Sequence, residues 1–363
     1  MKHIFNFPDF ISEALGVPEG IIETSKQLFL KFLNNIEIEA DVQELENEIL
    51  TVEGDFKILD MNFQEVDFVF DFEIIEEDEI DFLGMGSKFT RGITIDKNKK
   101  SFEVKTLSKQ TLEIAVTLIT SEQVLGKDLF NFFKKNEKYF IPVMAHELKH
   151  FYDKFKKPKK SLKTWVDYGV YSTQKFADIK PLNDFLFLSY YVHSFEGLVR
   201  STEFAAMLDI ENVTPEKFKE FFLSSEMFTI LKTAREYNLT DFKKSLEDYQ
   251  EQILDCLIIF GYDTDELVEA SDEELVEFIL KEFYEQLMTW KGSLMKSALF
   301  PIMTPFRFVG KKEKYFNEYL EKILKFGGDY NKFFETEFKF MNQEATRVIK
   351  KVAGTYPLTF KNL

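Results

Sequence analysis

The chain has one cysteine in 363 residues, four histidines, and fewer basic than acidic side chains, 46 against 63. Each scarcity excludes something. A single thiol rules out a disulfide framework within the chain and fits a reducing compartment. It lies in the apolar run QILDCLIIFG (252–261), where Cys256 reads as a buried inert thiol rather than a nucleophile. The net charge of −17 argues against nucleic acid and anionic membranes as partners, because both want a basic face. The strongest basic run, KFKKPKKSLK (154–163), reads as a solvated loop. No window approaches 18 consecutive apolar residues, so no spanning helix is expected. The opening MKHIFNFPDFISEALG breaks with charges and a proline where a signal peptide needs an unbroken apolar stretch. A cytoplasmic location without a recognisable secretion signal is the expectation.

What the chain has in excess is phenylalanine, 42 residues, so aromatic packing must carry much of the core. The stretch GVPEGIIETSKQLFLKFLNNI (16–36) predicts a helix opened by Pro18 in its first turn. In VDFVFDFEII, Phe68, Phe70, Phe72 and Ile74 alternate with acids, the period of a half-buried strand. GITIDKNKKSFEVKTL reads as a hairpin, and TLEIAVTLIT as a strand with Leu112, Ile114, Val116 and Leu118 on one side. The glycines of LGMGSKFTRG (83–92) read as a turn. From Gly126 onward the pattern is helical, with VTPEKFKEFF capped by Thr214 and SDEELVEFILKEFYEQL by Ser271. The expected class is α+β: an N-terminal helix and a small, mostly antiparallel sheet over 1–125, metal-binding helices over 126–210, and a helical C-terminal region over 211–363.

Half of the histidines fall within five residues, in FIPVMAHELKHFYDKF (140–155). On a helix, Ile141, Met144, Leu148, Phe151 and Phe155 form one apolar stripe, while His146 and His150 share a face roughly opposite it. The helix is expected to begin at Pro142, whose missing N–H costs nothing in a first turn. Two imidazoles one turn apart can take adjacent corners of a zinc tetrahedron, with Glu147 beside them to deprotonate a water. The bland alternative is an exposed histidine pair with a solvated glutamate.

HELKH on a helix that follows a small sheet resembles the zincin metallopeptidases. The resemblance implies a sheet lying on the metal helix, Zn2+ as cofactor, a polypeptide substrate aligned by a sheet strand (TLEIAVTLIT or GITI here), and a third ligand from a later helix. FYDKFKK after His150 lacks the glycine and histidine of the metzincin extension, which leaves a gluzincin-like carboxylate. In NDFLFLSYYVHSFEGLVRSTEFAAML (183–208), read as one helix, Glu196, Arg200 and Glu203 share a face. This looks like the E-x-x-x-R/A element of gluzincin-like peptidases, which implies Glu196 as third metal ligand, with Glu203 in reserve and His193 or Asp167 as outsiders. Arg200 would pair with Glu203 or steady a carboxylate. Tyr168, and Tyr171 beside it, are the candidates for oxyanion stabilisation; Tyr190, Tyr191 and His193 are rivals. The order of a helix with VP-G-I, a sheet and the metal helix is similar to uncharacterised bacteriophage-encoded members. That would place the protein in host cytoplasm or virion, with other phage proteins as partners. The alternative function is a non-catalytic structural or interaction protein, such as a phage virion component, that retains a zincin-like scaffold.

Overall fold

The computed structural model describes residues 7–75, 80–89, 91–96, 101–106, 112–157, 169–303 and 329–355. Two compact units, interleaved in sequence, make up the chain: one holds 1–161, 198–224 and 351–363, the other 162–197 and 225–350. The stretch 126–210 is thus shared between them.

The first unit opens with α1 (Phe7–Leu15) and α2 (Ile21–Asn35). α2 starts three residues after Pro18, because Gly20 turns the chain at φ +83° while Ile21 N–H reaches back to the Pro18 carbonyl. A side chain at Gly20 would also stand 2.7 Å from the Lys57 carbonyl oxygen, so the turn needs glycine twice over. A short α3 (Val42–Asn47), closed by the reciprocal bonds of Asp41 and Glu44, leads into the strands. These are β1 (Ile49–Ile58), β2 (Met61–Ile74), β3 (Asp81–Phe89), β4 (Arg91–Asp96), β5 (Ser101–Thr106) and β6 (Leu112–Thr120).

Four strands form one sheet in the order β1-β2-β6-β3. β1 pairs antiparallel to β2 and β3 antiparallel to β6, while β2 and β6 run parallel. β4 and β5 make the expected hairpin. The alternation in β6 holds throughout, with Leu112, Ile114, Val116 and Leu118 all buried. In β2, Phe68, Phe70 and Phe72 are buried and Ile74 emerges at the strand's end. The described part of the expected turn is strand: Leu83 to Phe89 continue β3, and Gly84 sits where the register shifts. The substrate-pairing expectation for TLEIAVTLIT also fails. β6 is an interior strand hydrogen-bonded on both sides, so β1 and β3 are the edges of this sheet.

Helices α4 (Gly126–Lys135) and α5 (Glu137–Lys156) close the face on which the phenylalanines converge. Phe32 lies 4.5 Å from Phe68 and 5.0 Å from Phe133, and Phe140 lies 4.7 Å from Phe133 and 5.0 Å from Phe82. Such a cluster supplies both buried area and edge-to-face geometry. Pro142 is inside α5 rather than at its start.

Beyond α5 come α6 (Val170–Thr173), α7 (Lys180–Val192) and α8 (Ser194–Ile210). The single helix expected over 183–208 is therefore two, parted at His193, whose extended ψ of 146° stops α7. The His193 carbonyl then accepts from Gly197 N–H at 2.7 Å, opening α8. The first turn of α8 belongs to the second unit and its remainder to the first. α9 (Phe218–Ser224) follows, its start delayed past Pro215 by a turn over 214–217.

The second unit is helical: α10 (Glu226–Glu236), α11 (Leu239–Leu246), α12 (Gln250–Ile259), α13 (Thr264–Glu269), α14 (Asp272–Met303) and α15 (Tyr330–Thr355), the last up to Lys350, its end belonging to the first unit. Ser271 and Glu274 cap α14 reciprocally, as the sequence predicts. Phe185 is the hub of this core, 5.4 to 5.5 Å from Phe242, Phe334 and Phe338. Cys256 is buried; burial, with the Glu282 charge adding to it, pushes its thiol up to about 11. That confirms the inert reading. No helix among the described residues is long and apolar enough to cross a membrane.

Candidate metal centre

α5 is fixed from its apolar side. Phe140 packs on Phe82 and Phe133, Phe151 meets Phe63 at 5.5 Å, and Met144 and Leu148 between them are fully buried. This anchoring aims the other face of the helix. There, His146, Glu147 and His150 are each only 5% exposed, which overturns the reading of a solvated surface pair. The two Nε2 atoms stand 3.0 Å apart, with the rings 4.6 Å apart and tilted by 74°. A Glu147 carboxylate oxygen lies 3.9 Å from His146 Nε2. Among the described residues this is the one group of three or more metal-ligating side chains whose donor atoms all fall within 4.8 Å of one another.

The opposite edge of the His146 ring is held by α8. Glu203 Oε2 lies 3.1 Å from His146 Nδ1, and the same oxygen accepts from Arg200 Nη1 at 2.7 Å. Burial alone would raise the Glu203 pKa, but the Arg200 charge and the bond to His146 outweigh it and bring it to about 2. An ionised carboxylate only accepts, so Nδ1 of His146 donates to Glu203, and Nε2 is the ring nitrogen turned towards His150. Nδ1 and Nε2 point to opposite sides of an imidazole. Glu203 thus meets His146 on the Nδ1 side of the ring, away from the Nε2 that faces His150.

Two Zn–N bonds of ~2.05 Å at a tetrahedral angle separate their nitrogens by ~3.3 Å, close to the separation here. The Nε2 atoms of His146 and His150 and a carboxylate one step away are nitrogen and oxygen donors of the type Zn2+ selects. The residues fit the ion.

No family model, curated protein or solved structure matches this chain. The likeness to zincins rests on the residues and geometry of the centre alone.

The remaining candidates fall into place as follows. Arg200 makes the expected pair with Glu203. Glu196, in the second unit, is 1% exposed, and its Oε1 accepts from the Tyr190 hydroxyl at 2.7 Å. Tyr168 and Asp167 lie outside the described residues. Tyr171 is buried in the second unit, its hydroxyl accepting from Lys291 Nζ at 2.8 Å and donating to Glu337 at 3.1 Å. That hydroxyl is engaged within the second unit. Tyr191 is buried, its ring 5.7 Å from Phe187. His193 faces Phe340 at 5.4 Å; burial lowers its pKa to about 3, the Lys291 and Arg347 charges lowering it further against the raising effect of Glu196. It stays neutral. Lys149, inside the motif, drew no attention in the sequence, yet it is 8% exposed and paired with Asp153. The acid one turn ahead was the available signal.

Proposed function

We propose that this chain is a zinc-dependent peptidase of the HExxH type. The observation that carries the proposal is the convergence of His146 Nε2 and His150 Nε2 beside a buried Glu147 carboxylate. His146 and His150 hold the metal, and Glu196 is the third ligand the zincin resemblance implies. Bound Zn2+ would supply Lewis acidity, lowering the pKa of a water towards ~7 and polarising a carbonyl. Glu147 takes the proton of the attacking water and hands it to the leaving amine. Glu203 and Arg200 fix the tautomer and orientation of His146. Of the two sheet edges, β3 runs alongside α5, with Phe82 against Phe140 and Tyr139. An extended peptide would pair with this strand in our reading, gaining affinity without strong sequence selectivity.

Protein purified without chelator should carry about one zinc per chain. Glu147→Gln should retain that zinc and lose peptidase activity on an unfolded polypeptide by about 10^2-fold or more. Zinc bound with no turnover in the wild type would leave the scaffold reading in its place. Activity surviving in Glu147→Gln would remove the general-base role.

A further inference from the structure

The negative charge is concentrated. Residues 245–280 contain twelve acidic side chains and no Lys, Arg or His. At the chain-wide frequency of 46 basic residues in 363, about four or five would be expected there. The same stretch presents large apolar side chains to solvent. α12 spends its inward face on Ile253, Cys256 and Leu257, all buried. Ile258 and Ile259, outside that stripe, are 45% and 83% exposed; Phe260 and Val268 follow at 39% and 75%. Phe260 ties the patch to the core by stacking on Phe176 at 5.8 Å. Asp255, Asp263, Asp265 and Glu269 are exposed within and beside it.

Exposed β-branched residues interleaved with charge of one sign are the composition of a contact surface rather than a solvating one. The charge decides the occupant. A second copy would set two strongly acidic surfaces against each other, and an anionic lipid or nucleic acid would be repelled in the same way. We propose that the end of α12 and α13 form a docking surface for a basic amphipathic segment of a protein partner. Apolar side chains of that segment cover Ile259 and Val268, and its lysines or arginines meet the acidic rim. This surface lies in the second unit and does not depend on the metal centre.

The probe is a labelled synthetic peptide of leucine and lysine, about 18 residues, with the leucines on one helical face. Its controls are a scrambled peptide of the same composition and an oligolysine of the same charge. Fluorescence anisotropy with the full chain should show the amphipathic peptide binding at least about tenfold more tightly than either control. Combined Ile259→Ser and Val268→Ser should weaken binding about tenfold with unchanged circular dichroism, since both side chains are exposed. Combined Asp255→Asn, Asp265→Asn and Glu269→Gln should weaken it and flatten its dependence on salt between about 0.05 and 0.3 M. Equal binding of scrambled peptide or oligolysine would reduce the effect to bulk charge and overturn the proposal. So would undiminished binding by the serine pair, or no binding of the amphipathic peptide at about 100 μM. A wild-type dimer that the serine pair converts to monomer would overturn it too, by making a second copy the occupant.

Discussion

At the scale of single residues, the centre is a chain of dependences: Arg200 holds Glu203, Glu203 holds Nδ1 of His146, and Nε2 of that ring faces His150. Each link is a charge-assisted hydrogen bond or follows from one. The roles of the two carboxylates can be separated by substitution. Glu203→Ala should weaken zinc affinity by about 10- to 100-fold, measured by competition with a chromophoric chelator. Glu203→Gln, which keeps an acceptor for Nδ1–H, should recover most of that loss. A ligand would behave differently, because an amide oxygen is a poor substitute for a carboxylate on Zn2+. If Glu203→Gln falls as far as Glu203→Ala, Glu203 binds the ion and the orienting role is wrong. Glu196→Ala should lose zinc more completely than either.

At the scale of elements, the entry to α4 shows how closely the helices are seated. Its first amides are satisfied by another part of the chain: Gly126 N–H donates to the Ala40 carbonyl at 2.9 Å and Lys127 N–H to that of Ile38 at 3.0 Å. The backbones approach so closely that a β-carbon at Gly126 would stand 1.9 Å from the Glu37 carbonyl oxygen. Gly126→Ala should therefore destabilise the fold by about 1–3 kcal/mol in urea denaturation, despite alanine's better helix propensity. A neutral or stabilising result would show that this seat is loose. Such contacts also mark the limit of what the sequence discloses. HELKH was legible because helical spacing alone puts two rings on one face. The alternation of β6 was legible for the same local reason. Gly84 and Gly86 hid β3, since its place in the sheet comes from pairing with β6, a contact distant in sequence. The parallel pairing of β2 and β6 is equally non-local. Nothing at His193 resembles a breaker, so α7 and α8 read as one helix. Spacing put Glu196, Arg200 and Glu203 on one face but could not say which acid would meet which ring nitrogen.

At the scale of the whole molecule, a net charge of −17 must be carried without tearing the helical unit apart, and the most acidic stretch shows one way this is done. Glu277, on α14, is gripped by Lys243 from α11 and by the Tyr330 hydroxyl from α15 at 2.5 Å. Three helices are thereby joined at one carboxylate. Burial, with the Glu277 bond and charge adding to it, raises the Tyr330 pKa to about 12 from an ordinary 10.0. Below pH 10 the tyrosine is protonated in both folded and unfolded chains, and its bond contributes fully. Between about 10 and 12 the unfolded chain releases the proton first, so the folded state loses stability as pH rises. The thermal midpoint of the second unit should thus fall more steeply over this window in the wild type than in Tyr330→Phe. The phenylalanine variant should start lower at pH 8, having lost the hydroxyl bond, and the two curves should converge by pH 12. Lysine titration is common to both chains and cancels in the comparison. Parallel curves from pH 9 to 12, followed by circular dichroism, would mean that Tyr330 does not hold α15 to Glu277, and that α14 and α15 rely on their phenylalanines alone.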